Sequence, residues 1–375
     1  MEMSHKSQHI GILTWHDPTN CGSALQAYAL HYYLRQLGYE ADIIRYVPRW
    51  CRYDYMQMPF SELSQKIRIK RIIKDCLLPF YYSWPEKTQK GTSPFFYFYN
   101  KYCKMTSACV ETSISERSKP FSTIISGSDQ VWNPNFIDSI FLQSFVNWDV
   151  NQISYAASLG GRDMLPQYVE LYQRCLSRFS AISVREDEGK DMLKSIGIES
   201  EVHIDPTLLL NANQYRSIEK QVNNIGEPFV FCYFLPTDRE YKTYVQDYIR
   251  KHNLSAVGFS HNKDDYNWMK SVSLMGPCEW LWLVDNAELV LTNSYHATIF
   301  SLIFHTPFYT FVRFKPNDPV CQNSRLEQLN SYFDIADYLI EDEIPERDSY
   351  SYARFDNVLP GLRLKANDYL LKNIR

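Results

Sequence analysis

Apolar and polar positions alternate in blocks along most of the chain. "HIGILTW" supplies a β-rich run from Ile10 to Trp15, and the polar loop "HDPTNCG" follows it. In "SALQAYALHYYLRQLGYE" the residues Leu25, Ala29, Tyr32 or Tyr33 and Leu37 recur at helical spacing, and Gly38 stands where a helix stop is expected. "ADIIRY" reads as the next strand and closes a βαβ unit, whose strands run parallel. From residue 121 onward short apolar runs again alternate with polar loops and helical patterns: "FSTIISGSDQVW", "NQISYAASLG", "LPQYVELYQRCLSRF", "AISVRE", "GKDMLKSIGI" and "EVHIDPTLLL". A second set runs through "FVFCYFL", "REYKTYVQDYIRKHN", "SAVGFS", "CEWLWLVDNA", "ELVLTNS" and "PFYTFV", and "LRLKANDYLLKN" reads as a final helix. Residues 47–120 break the pattern with a basic amphipathic stretch and aromatic runs, which predict helices within an irregular insertion.

The pattern predicts an α/β protein made of two Rossmann-like, doubly wound domains with a central cleft. The N-terminal domain spans 1–215 and carries the insertion, and the C-terminal domain spans 226–355. The helix of 356–375 is expected to pack back on the N-terminal domain. A length of 375 residues fits two cores better than one. In such sheets ligands bind beyond the carboxyl ends of the strands.

Composition narrows the function by exclusion. A formal charge of −4 argues against nucleic acid, whose phosphates demand a basic excess. Nine cysteines without a CxxC pair or zinc spacing suit a reducing cytoplasm and suggest no metal site. "MEMSHKSQHI" has no apolar signal core, and no apolar run reaches membrane-spanning length.

Four polar knots lie at strand carboxyl ends. "WHDPTNCGSALQAYAL" is either an ordinary βα turn with Ser23 as N-cap or a cradle in which Asn20, Gly22 and Ser23 hold a substrate. In "IISGSDQVWNP" Asp129 either caps a turn or accepts a proton from a hydroxyl, and Ser128, Gln130 and Trp132 complete a candidate sugar site. In "AISVREDEG" Arg185 ends an apolar strand, where its charge needs a partner. Glu186 or Asp187 would make a structural pair, and a ligand anion would make a functional one. In "LVLTNSYHATIFSLIF" Asn293 or Ser294 caps a helix, and His296 in its first turn is either unremarked or faces an anion together with the free N–H groups. Arg313, Lys315 and Arg325 follow the next strand and are either surface charge or phosphate contacts.

Taken in order, "GILTWHDPTNCGSALQAYALHYYLRQLGYEADIIRY", "IISGSDQVWNP", "SYAASLG", "ISVREDEGKDMLKSIGIESEVHIDPTLLL" and "LVLTNSYHATIFSLIFHTPFYTF" resemble the polysaccharide pyruvyl transferase family over most of residues 9–335. The resemblance implies a GT-B-like fold with the acceptor on the N-terminal domain and the donor on the C-terminal one. It implies transfer of pyruvate from phosphoenolpyruvate onto two hydroxyls of a sugar as a cyclic ketal, in capsule or exopolysaccharide synthesis, with no cofactor. By family position Arg185 and His296 would contact phosphoenolpyruvate. His296 would then serve as general acid and Asp129 as general base, with Asn293, Ser294 and Tyr295 at the donor. Some relatives carry Arg two residues before this His, where this chain has Ser294. That anion contact is either lost or supplied by Arg313, Lys315 or Arg325.

Lys66, Arg68, Lys70, Arg71 and Lys74 alternate with isoleucines. They form either a packed helix with solvated charges or a surface for anionic lipid, which would bring a polyprenyl-diphosphate-linked sugar at the cytoplasmic face of the inner membrane. Two rivals share the frame: a glycosyltransferase using a nucleotide sugar, for which no acid stands ready to grip a ribose, and a non-catalytic sugar-binding relative.

Overall fold

The computed structural model describes residues 8–16, 20–48, 94–161, 163–226, 228–237, 241–260, 268–272, 275–315, 321–346 and 349–375. The basic segment 66–74 lies outside them. The first half contains β1 (His9–Leu13), α1 (Cys21–Gln36), β2 (Glu40–Ile43), α2 (Pro94–Tyr102), α3 (Ile114–Ser118), β3 (Thr123–Gly127), β4 (Asn151–Tyr155), α4 (Val169–Leu176), β5 (Ser183–Val184), α5 (Asp187–Ser195) and β6 (Glu201–Val202). Its sheet is parallel in the order β2-β1-β3-β4. The pair β5-β6 continues it through the bridges Ile153–Ala181 and Ala157–Val184.

A short helix α6 (Ala212–Arg216), held by a capping box between Asn211 and Gln214, leads to the second half. There β7 (Phe229–Phe234), α7 (Lys242–Lys251), β8 (Ser255–Ser260), β9 (Lys270–Ser271), α8 (Pro277–Asn286), β10 (Leu289–Thr292), α9 (Tyr295–Phe304), β11 (Phe308–Phe311), α10 (Ser324–Phe333) and β12 (Leu339–Ile340) follow. This sheet is parallel as well, in the order β12-β11-β10-β7-β8-β9. Two parallel α/β sheets are the fold class that the alternation predicts.

Each sheet has a point where the chain turns back. β1 is followed outward by β2 on one side and by β3 and β4 on the other. β7 likewise leads to β8 and β9 before β10 returns to its opposite edge. Helices at such points must lie on opposite faces, which opens a crevice beyond the carboxyl ends of the two central strands. Both crevices contribute to the site described below.

The halves are not separated by open solvent. One apolar cluster includes Ile12 and Ile125 of the first sheet, Phe231 and Leu291 of the second, and much of α1. α1 is buried almost all round because it packs on β2 and also meets α8 of the other half. Its N-cap Asn20 accepts from the Ser23 N–H at 3.2 Å. It stops at Gly38, whose φ of +91° is a left-handed conformation that suits glycine.

The last helix, α11 (Ala353–Asn373), begins three residues before the predicted start. It touches α10 and also lies on the first half. Arg363 donates to the Leu208 and Leu210 carbonyls at 2.7 and 2.5 Å, Lys365 to the Val202 carbonyl, and the Tyr369 hydroxyl to the Ser154 carbonyl. No described helix is long and apolar enough to cross a membrane, and the described cysteines are all free thiols.

Candidate active site

A cavity of about 150 Å³ opens where the two turning points face each other. Trp15, Asn20 and Ser23 reach it from the β1–α1 connection, Asp129 and Gln130 from the end of β3, and Leu235 from the end of β7. Asn293, Ser294, Tyr295 and His296 reach it from the β10–α9 junction. Arg313, Phe314, Gln322 and Arg325 complete the wall beyond β11.

The β10–α9 junction is built locally. Ser294 takes the N-cap, with its hydroxyl accepting from the Ala297 N–H and its carbonyl from the Thr298 hydroxyl. The N–H groups of Tyr295 and His296 in the same first turn carry no hydrogen bond among the described residues, so the positive end of α9 is open to an anion. Asn293 spends its amide on the neighbouring loop. It donates to the Leu235 carbonyl and the Tyr241 hydroxyl and accepts from the Leu235 N–H. The Tyr295 ring lies between two guanidiniums, Arg185 at 4.7 Å and Arg325 at 5.5 Å.

Arg325 has no carboxylate partner among the described residues, and its side chain donates to the Gln322 amide oxygen at 2.9 Å. Burial, and then repulsion from Arg185, pull its pKa down to about 10. Turning the Gln130 amide over also gives Arg325 an acceptor at 3.1 Å. Arg313 donates from Nε and Nη2 to the Pro236 carbonyl, and burial lowers its pKa.

The opposite wall carries the one carboxylate that lines the cavity among the described residues. Asp129 sits at φ +60°, costly for a non-glycine residue. It is pinned there from three sides: its carbonyl accepts from the Ser158 N–H, Oδ1 from the Gln130 N–H, and Oδ2 from the Ser23 hydroxyl at 2.5 Å. Ser23 and Asn20 come from the start of α1. Trp15 stacks on Phe136 with centroids 5.6 Å apart and planes 5° from parallel, and Phe136 is 40% exposed.

The family model for polysaccharide pyruvyl transferase matches residues 20–313, which include α1, the end of β3 and the α9 start. The chain belongs to the polysaccharide pyruvyl transferase family. No curated protein matches it. Among solved structures it is similar to the UDP-GlcNAc 2-epimerase of Neisseria meningitidis bound to UDP-GlcNAc, at 9% identity and TM-score 0.48, covering 98% of this chain and 100% of that one. It is also similar to the UDP-GlcNAc 2-epimerase of Methanocaldococcus jannaschii, at 10% identity and TM-score 0.45, covering 96% and 92%. A third similarity is to the ADP-heptose lps heptosyltransferase II of E. coli, at 10% identity and TM-score 0.39, covering 97% and 99%.

In this pyruvyl transferase family member, five residues predicted for the site do not line the cavity. Trp132 is fully buried, donates Nε1–H to the Phe141 carbonyl at 2.9 Å and packs against Phe179, so it is a core residue. Trp15 lines the cavity where Trp132 does not. Ser128 is buried, with its hydroxyl on Asp205 at 3.2 Å. Lys315 is exposed.

Gly22 faces the His296 ring from the first turn of α1. A Cβ there would lie 2.3 Å from Nδ1, so glycine makes room for the imidazole. Arg185 is 2% exposed and pairs through Nη1 with Asp205 Oδ2 at 2.8 Å. Glu186, one of the two partners that the sequence offers, also pairs with it but lies farther, at 3.6 Å from Nε. Glu186 accepts from Ser158 Oγ and the Leu159 and Gly160 N–H groups through its other oxygen, which holds the loop after β4.

Asp205 was not singled out from the sequence. It follows β6 in "HIDP", where it caps the short turn Pro206–Leu209 by accepting from the Thr207 N–H and hydroxyl through Oδ1. Oδ2 faces Arg185, Ser128 and His296 Nε2, the last at 3.6 Å. Burial pushes its pKa up, but His296, Arg185 and Thr207 outweigh that and hold it well below the usual carboxylate range. The available signal was an acid directly following a short β-run at a strand carboxyl end, the position that drew attention to the other knots.

Proposed function

We propose that this protein transfers the pyruvate skeleton of phosphoenolpyruvate onto two hydroxyls of one sugar, forming a cyclic ketal in capsule or exopolysaccharide synthesis. The observation that carries the reading is the polarity of the cavity. Arg313, Arg325, His296 and the open N-terminus of α9 stand on one wall, and the Asp129–Ser23 pair stands on the other.

Phosphoenolpyruvate carries a carboxylate and a phosphate, and the cationic wall suits both. Arg325 is the first choice for the anion contact that Ser294 cannot make, and Arg313 the second, since neither has a carboxylate to neutralise it among the described residues. His296 protonates the methylene carbon, and C2 becomes oxocarbenium-like. A sugar hydroxyl forms the first C–O bond at C2 as its proton passes to Asp129. Phosphate leaves with the electron pair of the C–O bond it held, and the second hydroxyl of the same sugar closes the ring at C2 as its proton passes to the now neutral His296. These steps use only side chains and a helix start. Asn20, Ser23 and Gln130 are placed to meet the sugar's hydroxyls, and the Trp15–Phe136 stack offers its ring an apolar wall.

Incubating candidate sugars with phosphoenolpyruvate and weighing the products tests this. The expected product gains one pyruvate less one water, with phosphate released. If no sugar gains that mass while a nucleotide sugar raises the melting temperature as RT ln(1 + [L]/Kd) requires, the donor is a nucleotide sugar and the proposal fails. A lipid-linked acceptor at the cytoplasmic face of the membrane belongs to the same reading. Sedimentation with anionic liposomes at low salt tests the contact of residues 66–74, and failure to bind would remove it.

A further inference from the structure

We propose that Asp205 positions His296, fixing the imidazole so that Nδ1 is the nitrogen presented to the ligand. The inference rests on the reading of His296 as general acid and adds a residue that touches no substrate. His296 is 6% exposed, and its Nε2 is buried with no hydrogen bond, 3.6 Å from Asp205 Oδ2. An imidazole nitrogen beside a carboxylate carries its proton toward it, since the reverse tautomer would set two lone pairs against each other. The ring is held on its other sides as well. Gly22 lies against Nδ1 and Cγ, and Tyr295 meets the ring edge-on, with centroids 5.2 Å apart.

Asp205 is itself immobile. Oδ1 accepts from the Thr207 N–H at 2.9 Å and hydroxyl at 2.7 Å, and Oδ2 from Arg185 at 2.8 Å and Ser128 at 3.2 Å. The Thr207 contacts fix the carboxylate through Oδ1, while Arg185 and Ser128 hold Oδ2, the oxygen they share with the imidazole, in place beside it. In the proton-transfer step the Nδ1–H of the imidazolium gives its proton to the methylene carbon, which breaks the N–H bond and forms the C–H bond. The ring is left neutral with its Nε2 proton still toward Asp205. Asp205 takes no proton; it orients the ring and faces its charge.

Nitrogen-detected NMR of the intact protein tests the geometry without any change at Asp205, with His296→Gln used to assign the signal. The expected neutral form carries its proton on Nε2, and a dominant Nδ1–H form would overturn the inference. Asp205→Asn should lower kcat by about 10²- to 10⁴-fold and leave the KM for phosphoenolpyruvate within a few-fold, with the His296 tautomers mixed. Should Asp205→Asn fail to fold, Thr207→Val, which removes only one hydroxyl donor from Oδ1, should lower kcat less and shift the same signal. Wild-type kcat in Asp205→Asn, or an unmoved signal and kcat in Thr207→Val, would sink the proposal. If His296→Ala itself turns over normally, the general-acid reading fails first, so the two failures are told apart.

Discussion

Replacing Gly22 by alanine should separate stability from activity at one atom. The added Cβ would lie 2.3, 2.6 and 2.8 Å from Nδ1, Cγ and Cβ of His296. Restoring an ordinary contact of about 3.4 Å means moving the ring by roughly 1 Å, and a misplacement of that size costs about 10²-fold in rate, or about 2.7 kcal/mol of barrier. The backbone term has the opposite sign, because alanine is favoured over glycine inside a helix by about 1 kcal/mol. Overpacking costs about 1–3 kcal/mol of stability, which the helix preference offsets in part, so the variant should still fold, with a melting temperature lowered by a few degrees, while losing most of its turnover. The assay is phosphate released from phosphoenolpyruvate with the acceptor identified by mass spectrometry, run beside thermal denaturation. Gly361→Ala is the control: it lies in α11 with nothing within 4 Å of the new Cβ, so it should gain a fraction of a kcal/mol and keep full activity. If Gly22→Ala is as active as Gly361→Ala, the placement of His296 against α1 does not matter for the reaction, and the reasoning is refuted.

Arg325→Gln should raise the KM for phosphoenolpyruvate about 10- to 100-fold, the range of a charge-assisted hydrogen bond, yet leave the free protein as stable or more so, because it removes a partly buried cation repelled by Arg185. Steady-state kinetics and a melting curve read both effects, and an unchanged KM would take Arg325 out of the donor site. Trp132→Phe should destabilise by about 1–3 kcal/mol through the lost indole donor to the Phe141 carbonyl, which keeps the Ser126 hydroxyl, and through the space left by the smaller ring, and should leave the acceptor KM alone, while Trp15→Ala should raise that KM; the reverse outcome would restore Trp132 to the site. His31 accepts from the Lys104 N–H, and burial followed by Arg35 pulls its pKa down to about 4. Its folded value is below the unfolded one near 6.5, so the unfolded chain binds more protons between the two. Stability is complete above about pH 6.5 and falls as the pH drops toward 4, by at most about 3 kcal/mol. Glu219, pushed up to about 7 by burial and Asp285, works the other way in that window. The measurement is therefore the difference in melting temperature between wild type and His31→Gln across pH 6.5 to 4, and parallel curves would count against the burial argument.

Much of this architecture is legible because it is local. A period of two against one near 3.6, a glycine after α1, and Asn20 or Ser294 before a helix are all readable without a partner strand. The same locality explains why candidate loops are found at strand ends while the side chains within them are sorted less well. Trp132 and Trp15 both lie beyond apolar runs, yet one is sealed in the core by Phe141 and Phe179 and the other borders the cavity. Arg185 ends a strand as read and pairs with the adjacent Glu186 at 3.6 Å, but its closer partner, Asp205 at 2.8 Å, comes from beyond β6.

By itself, then, the sequence determines two parallel α/β layers, the helix starts and stops, and the loops from which a site must be drawn, since hydrophobic period and capping act over a few residues. The family's motifs add the expected acid and base at His296 and Asp129. Tertiary structure alone decides which atoms meet. Strand order puts the two turning points opposite each other, so that Asp129 faces α9 across one cavity. The packing of α1 against the second half brings Gly22 onto the His296 ring, and the β5-β6 pair delivers Asp205 and Arg185 behind it. These contacts join residues far apart in the chain, and only the register and twist of the sheets set their distances.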